Sequence, residues 1–354
     1  MRLLVLADAR SVHTERWCRF FEETGWEVAL FSLEPKTIAW PRRFFAGRRP
    51  TGFGLVDYAL ARRRFRKVVE TFQPEIISAH FVGSYGWLAS FTDRHPVVVT
   101  AWGSDLLMLT KQSTIHRRRT ERALVRAVLC TVDAEVLFRA AAEFVPESKI
   151  MRVVFGPDEE MFHSVKKTSF STSGPMRIIA PRGMATVYDP LTIIAAAAEL
   201  KSTLAFHLDI MGEGKAAKRM AREISARSLN ELISLYRPKP RDEYLRGLAG
   251  CDVYLSASLS DSTSVSLLEA MSVGLFPVVS DVAGNREWIS SGRNGLLFKP
   301  GSSGDLAESL RRAEELRPQF QTVAEQNREI IQRRALWPGQ MGPLKERMIQ
   351  LCRR

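Results

Sequence analysis

Several things are missing from this sequence of 354 residues, and each absence removes a class of protein. Its four cysteines, Cys18, Cys130, Cys251 and Cys352, are far apart and form no CxxC pair. That excludes a zinc scaffold or a disulfide framework and fits a reducing cytosol. No apolar run approaches the roughly 20 residues needed to cross a bilayer. The opening "MRLLVLADARSVHTERW" has an apolar stretch that stops at Asp8, and it lacks the length and small-residue cleavage site of a signal peptide, so it reads as a first strand. No Gly-x-Gly-x-x-Gly follows that strand, which argues against a nicotinamide dinucleotide site, and there is no Walker motif. Asp-x-Asp is absent as well, and no metal site is expected.

Acidic residues are also scarce relative to basic ones. The formal charge is +12, which implies an anionic partner: nucleic acid, phospholipid or a phosphorylated substrate. The excess is concentrated. Residues 36–67 hold ten basic side chains against one acid, Asp57, interleaved with Trp40, Phe44, Phe45, Phe53, Tyr58 and Phe65. A second basic run, "HRRRTERALVR", covers 116–126.

What is present is a repeated alternation of apolar strands and helices. "RLLVLA" (2–7), "WEVALFSL" (26–33), "PEIISAHF" (74–81) and "PVVVTAWG" (96–103) read as strands, with helices at 14–25 and 84–94. The polar stretch 155–176, rich in Ser and Thr, breaks this rhythm, and the linker is placed at 164–176 within it. Alternation then restarts with "RIIAP", "AFHLDIMG", "LISLY", "VYLSAS", "FPVVSD" and "GLLFKPG" as strands. Apolar strands alternating with helices indicate parallel sheets covered on both faces. The expected fold is α/β: two Rossmann-like, doubly wound parallel-sheet domains facing a cleft, at 1–163 and 177–336. A C-terminal helix at 337–354 is expected to return to the first domain. In such sheets ligands sit beyond the carboxyl ends of the strands, at the switch in winding direction.

The stretch "SASLSDSTSVSLLEAMSVG" holds the most chemistry. Asp261 follows a strand, Ser264, Val265 and Ser266 open a helix, and Glu269 lies about two turns along it. The unpaired amides of a helix start suit a phosphate or diphosphate. Carboxylates on either side suit the hydroxyls of a ribose and of a second sugar. The plainer reading makes Asp261 or Ser262 a helix cap and Glu269 a surface residue. Glu269, however, has apolar neighbours, and a buried carboxylate needs a partner.

The run "SDSTSVSLLEAMSVGLFPVVSDVAGNREWISSGRNGLLF" resembles the donor-binding signature of retaining glycosyltransferases of family 4, which have the GT-B fold. Asp261 and Glu269 stand at the two acidic positions of that signature. Ala270, Met271, Gly274, Pro277, Gly284, Glu287, Asn294 and Gly295 fall in step. "ADARSVHTERW", "VVVTAWGSDLL" and "VFGPDEEMF" resemble the family's acceptor-side loop, cleft loop and linker entry. The resemblance implies that Arg182 and the helix start hold the leaving diphosphate, Glu269 the ribose and Asp261 the donor sugar. Tyr188, Gly212 and Lys215 join the donor side, and the donor is a UDP-sugar rather than a GDP-sugar, with no cofactor. On the acceptor side it implies roles for Asp105, His13 and Trp102. His13 is equally a base or acceptor ligand and a polar residue at a helix start; His80 reads as a core histidine. Three positions depart from the family: Tyr188 replaces a Lys, Trp102 a His, and Asp261 a Glu. Lys215 or Arg241 could compensate for the lost Lys, although each reads first as a solvated surface charge.

The basic aromatic stretch has two readings, a solvated helix over core aromatics or a surface that meets anionic headgroups. We take the second, with Trp40, Arg42, Arg43, Phe44 and Phe45 toward a membrane. Nucleic acid, the competing anion, has no recognition motif here. The expected function is transfer of a sugar from a nucleotide donor to a hydroxyl of a glycan or lipid-linked glycan, in the cytoplasm at the inner face of the membrane. The loss of Lys and His at 188 and 102 leaves two alternatives: a non-catalytic GT-B partner subunit, and a sugar-nucleotide-modifying enzyme such as an epimerase.

Overall fold

A computed structural model describes residues 1–214 and 216–353. The chain divides into two compact units, Met1–Phe155 with the segment from Gly339 onward, and Gly156–Pro338.

The first unit is built on a parallel sheet of seven strands in the order β3-β2-β1-β4-β5-β6-β7. These are β1 (Arg2–Leu6), β2 (Glu27–Ser32), β3 (Arg43–Ala46), β4 (Ile76–His80), β5 (Val97–Thr100), β6 (Leu129–Val132) and β7 (Ile150–Arg152). β1 and β4 are paired, so the winding direction reverses between them. β4 and β5 are buried along their whole length, as strands with helices on both faces must be. From Gly339 the C-terminal helix belongs to this unit: Met341, Leu344 and Met348 are fully buried, and Gln340 Oε1 accepts from the Val154 amide at 3.1 Å.

The second unit has six parallel strands in the order β10-β9-β8-β11-β12-β13. They are β8 (Met176–Ala180), β9 (Phe206–Met211), β10 (Ile233–Tyr236), β11 (Val253–Ser256), β12 (Phe276–Ser280) and β13 (Leu296–Phe298). Its switch lies between β8 and β11. Two separate apolar clusters form the cores of the two units. Both sheets are of the expected Rossmann-like kind.

Three local features differ from the expectation. The chain passes between units at Phe155 and Gly156, upstream of the expected 164–176 linker. The reason is the helix Glu159–Ser164, whose Met161 and Phe162 are buried in the second unit, where Arg328 donates to the Phe162 carbonyl at 2.7 Å. The helix expected at 84–94 lies at 81–89 instead: a π-helical stretch, Phe81–Gly86, runs directly into a short α-helix, Trp87–Ala89. Phe81 enters that stretch at φ 64, a left-handed conformation that is costly for a bulky residue. It is held there because the next amide, of Val82, donates to the buried Asp105 carboxylate at 2.8 Å. Residues 43–46 form the edge strand β3 rather than an exposed loop of aromatics, and Phe45 packs on the core, against Phe72.

Candidate functional site

The two strands that flank the second unit's switch deliver the residues singled out above. Arg182 follows β8 and Asp261 follows β11. Their side chains meet at 2.6 Å, both largely shielded from solvent. Arg182 donates its other terminal nitrogen to Ser264 Oγ at 3.0 Å, and its guanidinium lies 4.5 Å from the Tyr188 ring centroid. Burial works against the arginine's charge, but the Asp261 carboxylate outweighs it and the guanidinium is raised above its ordinary value. Burial also pushes the Asp261 carboxyl above the usual aspartate range, and Arg182, Ser258 and the Ser262 amide offset this only in part.

Ser264 caps the helix Val265–Val273 by accepting from the Leu267 amide at 3.3 Å. The amides of Val265 and Ser266 lie in the first turn, where no carbonyl precedes them in the helix. Tyr254, fully buried on β11, brings its hydroxyl within 2.8 Å of Ser266 Oγ and 3.3 Å of Ser264 Oγ. One guanidinium, three hydroxyls and a helix start therefore converge at the switch point. That arrangement suits a diphosphate group.

Glu269 is buried, and its partner is Arg241, which donates to Oε1 at 2.6 Å. Tyr244 is buried near the same carboxylate, and burial, with that negative charge, raises its hydroxyl above its ordinary value. Arg241 lies on the helix Arg241–Ala249 and also approaches Asp158 at 3.8 Å. The sequence reading raised Arg241 only as a possible replacement for the missing lysine and missed Tyr244 and Tyr254. No motif marks them: a Tyr on an amphipathic helix and a Tyr in an apolar strand both look like core.

Gly212 directly follows β9 and lies beside Gly183. A Cβ on Gly212 would stand 2.2 Å from the Gly183 Cα, so the two loops touch backbone to backbone. Beside them is an open cavity of about 450 Å³, lined by Met184, Gly212, Glu213, Gly214, Tyr236 and Arg237, at the carboxyl ends of β8, β9 and β10. Lys215 lies outside the described residues. Gly284 packs under the site: a Cβ there would meet the Ser262 carbonyl oxygen at 1.6 Å.

In the first unit, the residues after β1, β4 and β5 gather as an aromatic cluster. Trp102 lies 5.3 Å from the His13 ring, 5.6 Å from His80 and 4.7 Å from Phe155, and is stacked on Phe81 at 6.1 Å. His80 is 1% exposed and neither ring nitrogen has a hydrogen-bond partner among the described residues. Burial, with a further contribution from His13, pushes it down to about 3. Asp105 is equally buried, and its carboxylate accepts from the amides of Val82, Trp102 and Leu106 at 2.8, 3.0 and 3.1 Å. It thus fixes the loops after β4 and β5 to each other. Of the surface residues expected at 40–45, Arg42 and Arg43 are exposed, while Trp40, Phe44 and Phe45 are half-buried.

Two tandem Rossmann-like units, one gathering a guanidinium, hydroxyls and a helix start at its switch point, have the architecture of the GT-B glycosyltransferases. A model described as glycosyl transferases group 1 matches residues 136–332, and one described as glycosyl transferase 4-like matches residues 2–133. The chain belongs to the glycosyl transferases group 1 family. It is 30% identical over 138 residues to the GtfA subunit of the UDP-N-acetylglucosamine–peptide N-acetylglucosaminyltransferase of Streptococcus gordonii, covering 38% of this chain and 26% of that one. It is 33% identical over 125 residues to the putative colanic acid biosynthesis glycosyltransferase WcaL of Salmonella typhimurium, covering 33% of this chain and 30% of that one. The chain therefore matches less than a third of the length of each of these curated relatives. Its fold is similar to that of Anabaena HepE, solved with UDP-glucose, with a TM-score of 0.82 at 16% identity over 99% of this chain and 100% of the other.

Proposed function

We propose that this glycosyltransferase moves a sugar from a UDP-sugar to a hydroxyl of a glycan acceptor, with retention of anomeric configuration and without a metal. The observation that carries the reading is the meeting of Arg182, Ser264 and the start of the helix Val265–Val273 at the switch point of the second unit. Departure of the nucleoside diphosphate leaves negative charge on its outer phosphate. A guanidinium and helix-start amides already fixed in place stabilise that charge without reorganising. Without donor, Asp261 neutralises Arg182. When the diphosphate takes that arginine, the Asp261 carboxylate is released toward the sugar hydroxyls. Glu269, oriented by Arg241, keeps one oxygen for the ribose hydroxyls. The cavity beside Gly212 and Tyr236 takes the base. Uridine is favoured because a fold neighbour was solved with UDP-glucose and a sequence relative is described as a UDP-N-acetylglucosamine transferase. Retention follows from the family resemblance, through same-face attack in which the leaving phosphate takes the acceptor proton.

One observation favours a second reading, a non-catalytic partner subunit. Tyr188 occupies the place of a second cation and covers Arg182 with its ring instead. Thermal shift with UDP, GDP, ADP and their sugars, alongside release of free UDP from UDP-sugars, separates the two. Stabilisation by UDP with turnover supports the transferase. Stabilisation without turnover across a broad acceptor panel supports the partner subunit. No stabilisation at millimolar nucleotide sinks both.

A further inference from the structure

The helix Gly54–Leu60 turns apolar side chains outward. Phe53 at its N-cap is 74% exposed, Val56 46% and Leu60 56%. Their spacing of three and four residues sets them along one face. The opposite face holds the buried Asp57, whose Oδ1 accepts from the Thr51 amide and hydroxyl, and the buried Tyr58, edge-on to Tyr85. The inner face is thus tied down by specific contacts, while the outer, apolar face stands exposed among the described residues.

That stripe lies in a basic field. The helix Arg62–Phe72 follows after a single residue, Ala61, and carries Arg62, Arg63, Arg64, Arg66 and Lys67 against one acid, Glu70. The helix Thr114–Arg126 adds five arginines against one acid, Glu121, with Ile115 and Val125 exposed at 54% and 57%. The two helices are brought together at Phe91: the Arg62 guanidinium lies 3.6 Å from its ring centroid and that of Arg122 lies 4.4 Å from it. Arg62, Arg63, Arg66, Lys67, Arg118 and Arg122 meet no carboxylate within ion-pair distance among the described residues. Like charges gathered without counter-charges repel one another, and an anionic surface removes that repulsion. Exposed Phe, Val and Leu next to clustered arginines are the two complementary halves of an interfacial lipid contact.

We propose that the first unit docks on an anionic lipid bilayer through this face, with Phe53, Val56 and Leu60 entering the headgroup boundary and the arginines of the two flanking helices on lipid phosphates. This places the contact on the helix after the 40–45 segment rather than on that segment. Charge complementarity selects the occupant: a second copy of the chain would set one arginine field against another. The proposal stands on the first unit alone and needs no statement about the donor.

Flotation of the whole protein with vesicles tests it, comparing phosphatidylcholine alone with phosphatidylcholine containing about one-third phosphatidylglycerol, near physiological salt. The expected result is binding to the anionic vesicles only. Replacing Phe53, Val56 and Leu60 together by serine weakens it about tenfold or more, as does Arg63→Gln with Arg66→Gln and Lys67→Gln. All six positions are exposed, so both variants keep the wild-type melting temperature and the wild-type shift with UDP. The shift reports on the donor reading independently of the vesicles. Absence of binding to anionic vesicles overturns the proposal. So does unchanged binding by the serine variant, which leaves only adsorption of charge, and so does a dimer in sedimentation velocity that the serine variant loses. Competition by duplex DNA that is indifferent to the serine changes assigns the face to nucleic acid and overturns it as well.

Discussion

Arg182 and Asp261 hold each other at 2.6 Å in a place from which most water is excluded. Removing one partner of such a pair leaves the other as an uncompensated buried charge. Arg182→Ala is therefore expected to cost stability, by about 3 kcal/mol, in addition to lowering kcat/KM by about 10²- to 10³-fold through loss of a donor to the leaving phosphate. Asp261→Asn keeps the size and a hydrogen-bond acceptor, and it should bind UDP at least as well as wild type because the arginine no longer has a competing carboxylate. Isothermal titration with UDP checks this, and weaker UDP binding by Asp261→Asn would remove the competition from the mechanism. Glu269 differs in that its partner is partly exposed, at 42%. Arg241→Ala is expected to cost about 1–2 kcal/mol in urea unfolding, and the double variant with Glu269→Gln should regain most of it, because the buried carboxylate then has no charge to compensate.

His80 supplies a pH dependence with a definite sign. Unfolded, it titrates near its ordinary 6.5; in the native protein burial holds it at about 3. Between those values the unfolded chain binds the proton and the native chain does not. The stabilisation is complete above about pH 6.5 and is lost progressively as pH falls toward 3. By pH 5 the loss from this one residue is about 2 kcal/mol. Urea unfolding at about pH 7.5 and about pH 5 measures it, and His80→Leu should flatten the difference by that amount. An unchanged difference would mean that His80 finds a proton acceptor when charged.

At the scale of elements, the helix Val265–Val273 is positioned from both ends. Ser264 caps its start and Gly274, at φ 107, terminates it with its amide on the Ala270 carbonyl. The loop before it rests on Gly284, where any side chain would collide with the Ser262 carbonyl. Gly284→Ala should therefore displace 261–262 and abolish the UDP thermal shift, while circular dichroism retains the α/β signature. A normal shift in that variant would show that the loop can move without consequence for the donor. Most strands were legible from apolar runs alone, because a strand buried on both faces has little choice of composition. β3, β6 and β7 were not: each has only three or four residues, and "RFFA" is also half-polar and on the edge, so only its pairing with β2 marks it. The π-helical start at 81–86 was not legible, and the Asp105 carboxylate that its Val82 amide bonds lies more than twenty residues away. The same distinction holds in the site. The Asp261–Glu269 spacing is local and visible, whereas Arg241, Tyr244 and Tyr254 reach it only through the fold.

At the scale of the whole molecule, two units with separate apolar cores are two candidate unfolding units. The proposed diphosphate, base and ribose contacts all belong to Gly156–Pro338. Calorimetry should then resolve a transition that responds to UDP and one that responds less. At a UDP concentration one hundred times Kd, the stabilisation is about 2.7 kcal/mol, which for a unit of this size moves its midpoint by roughly 5–10 °C. Hydrogen exchange identifies the responding unit, since its slowed amides should include those of 264–268 and of 182–188. Equal shifts of both transitions, or protection confined to the sheet of the first unit, would place the nucleotide elsewhere and dissolve the reading built on Arg182. Protection at 264–268 that disappears in Arg182→Ala would tie the bound diphosphate to that guanidinium and helix start together.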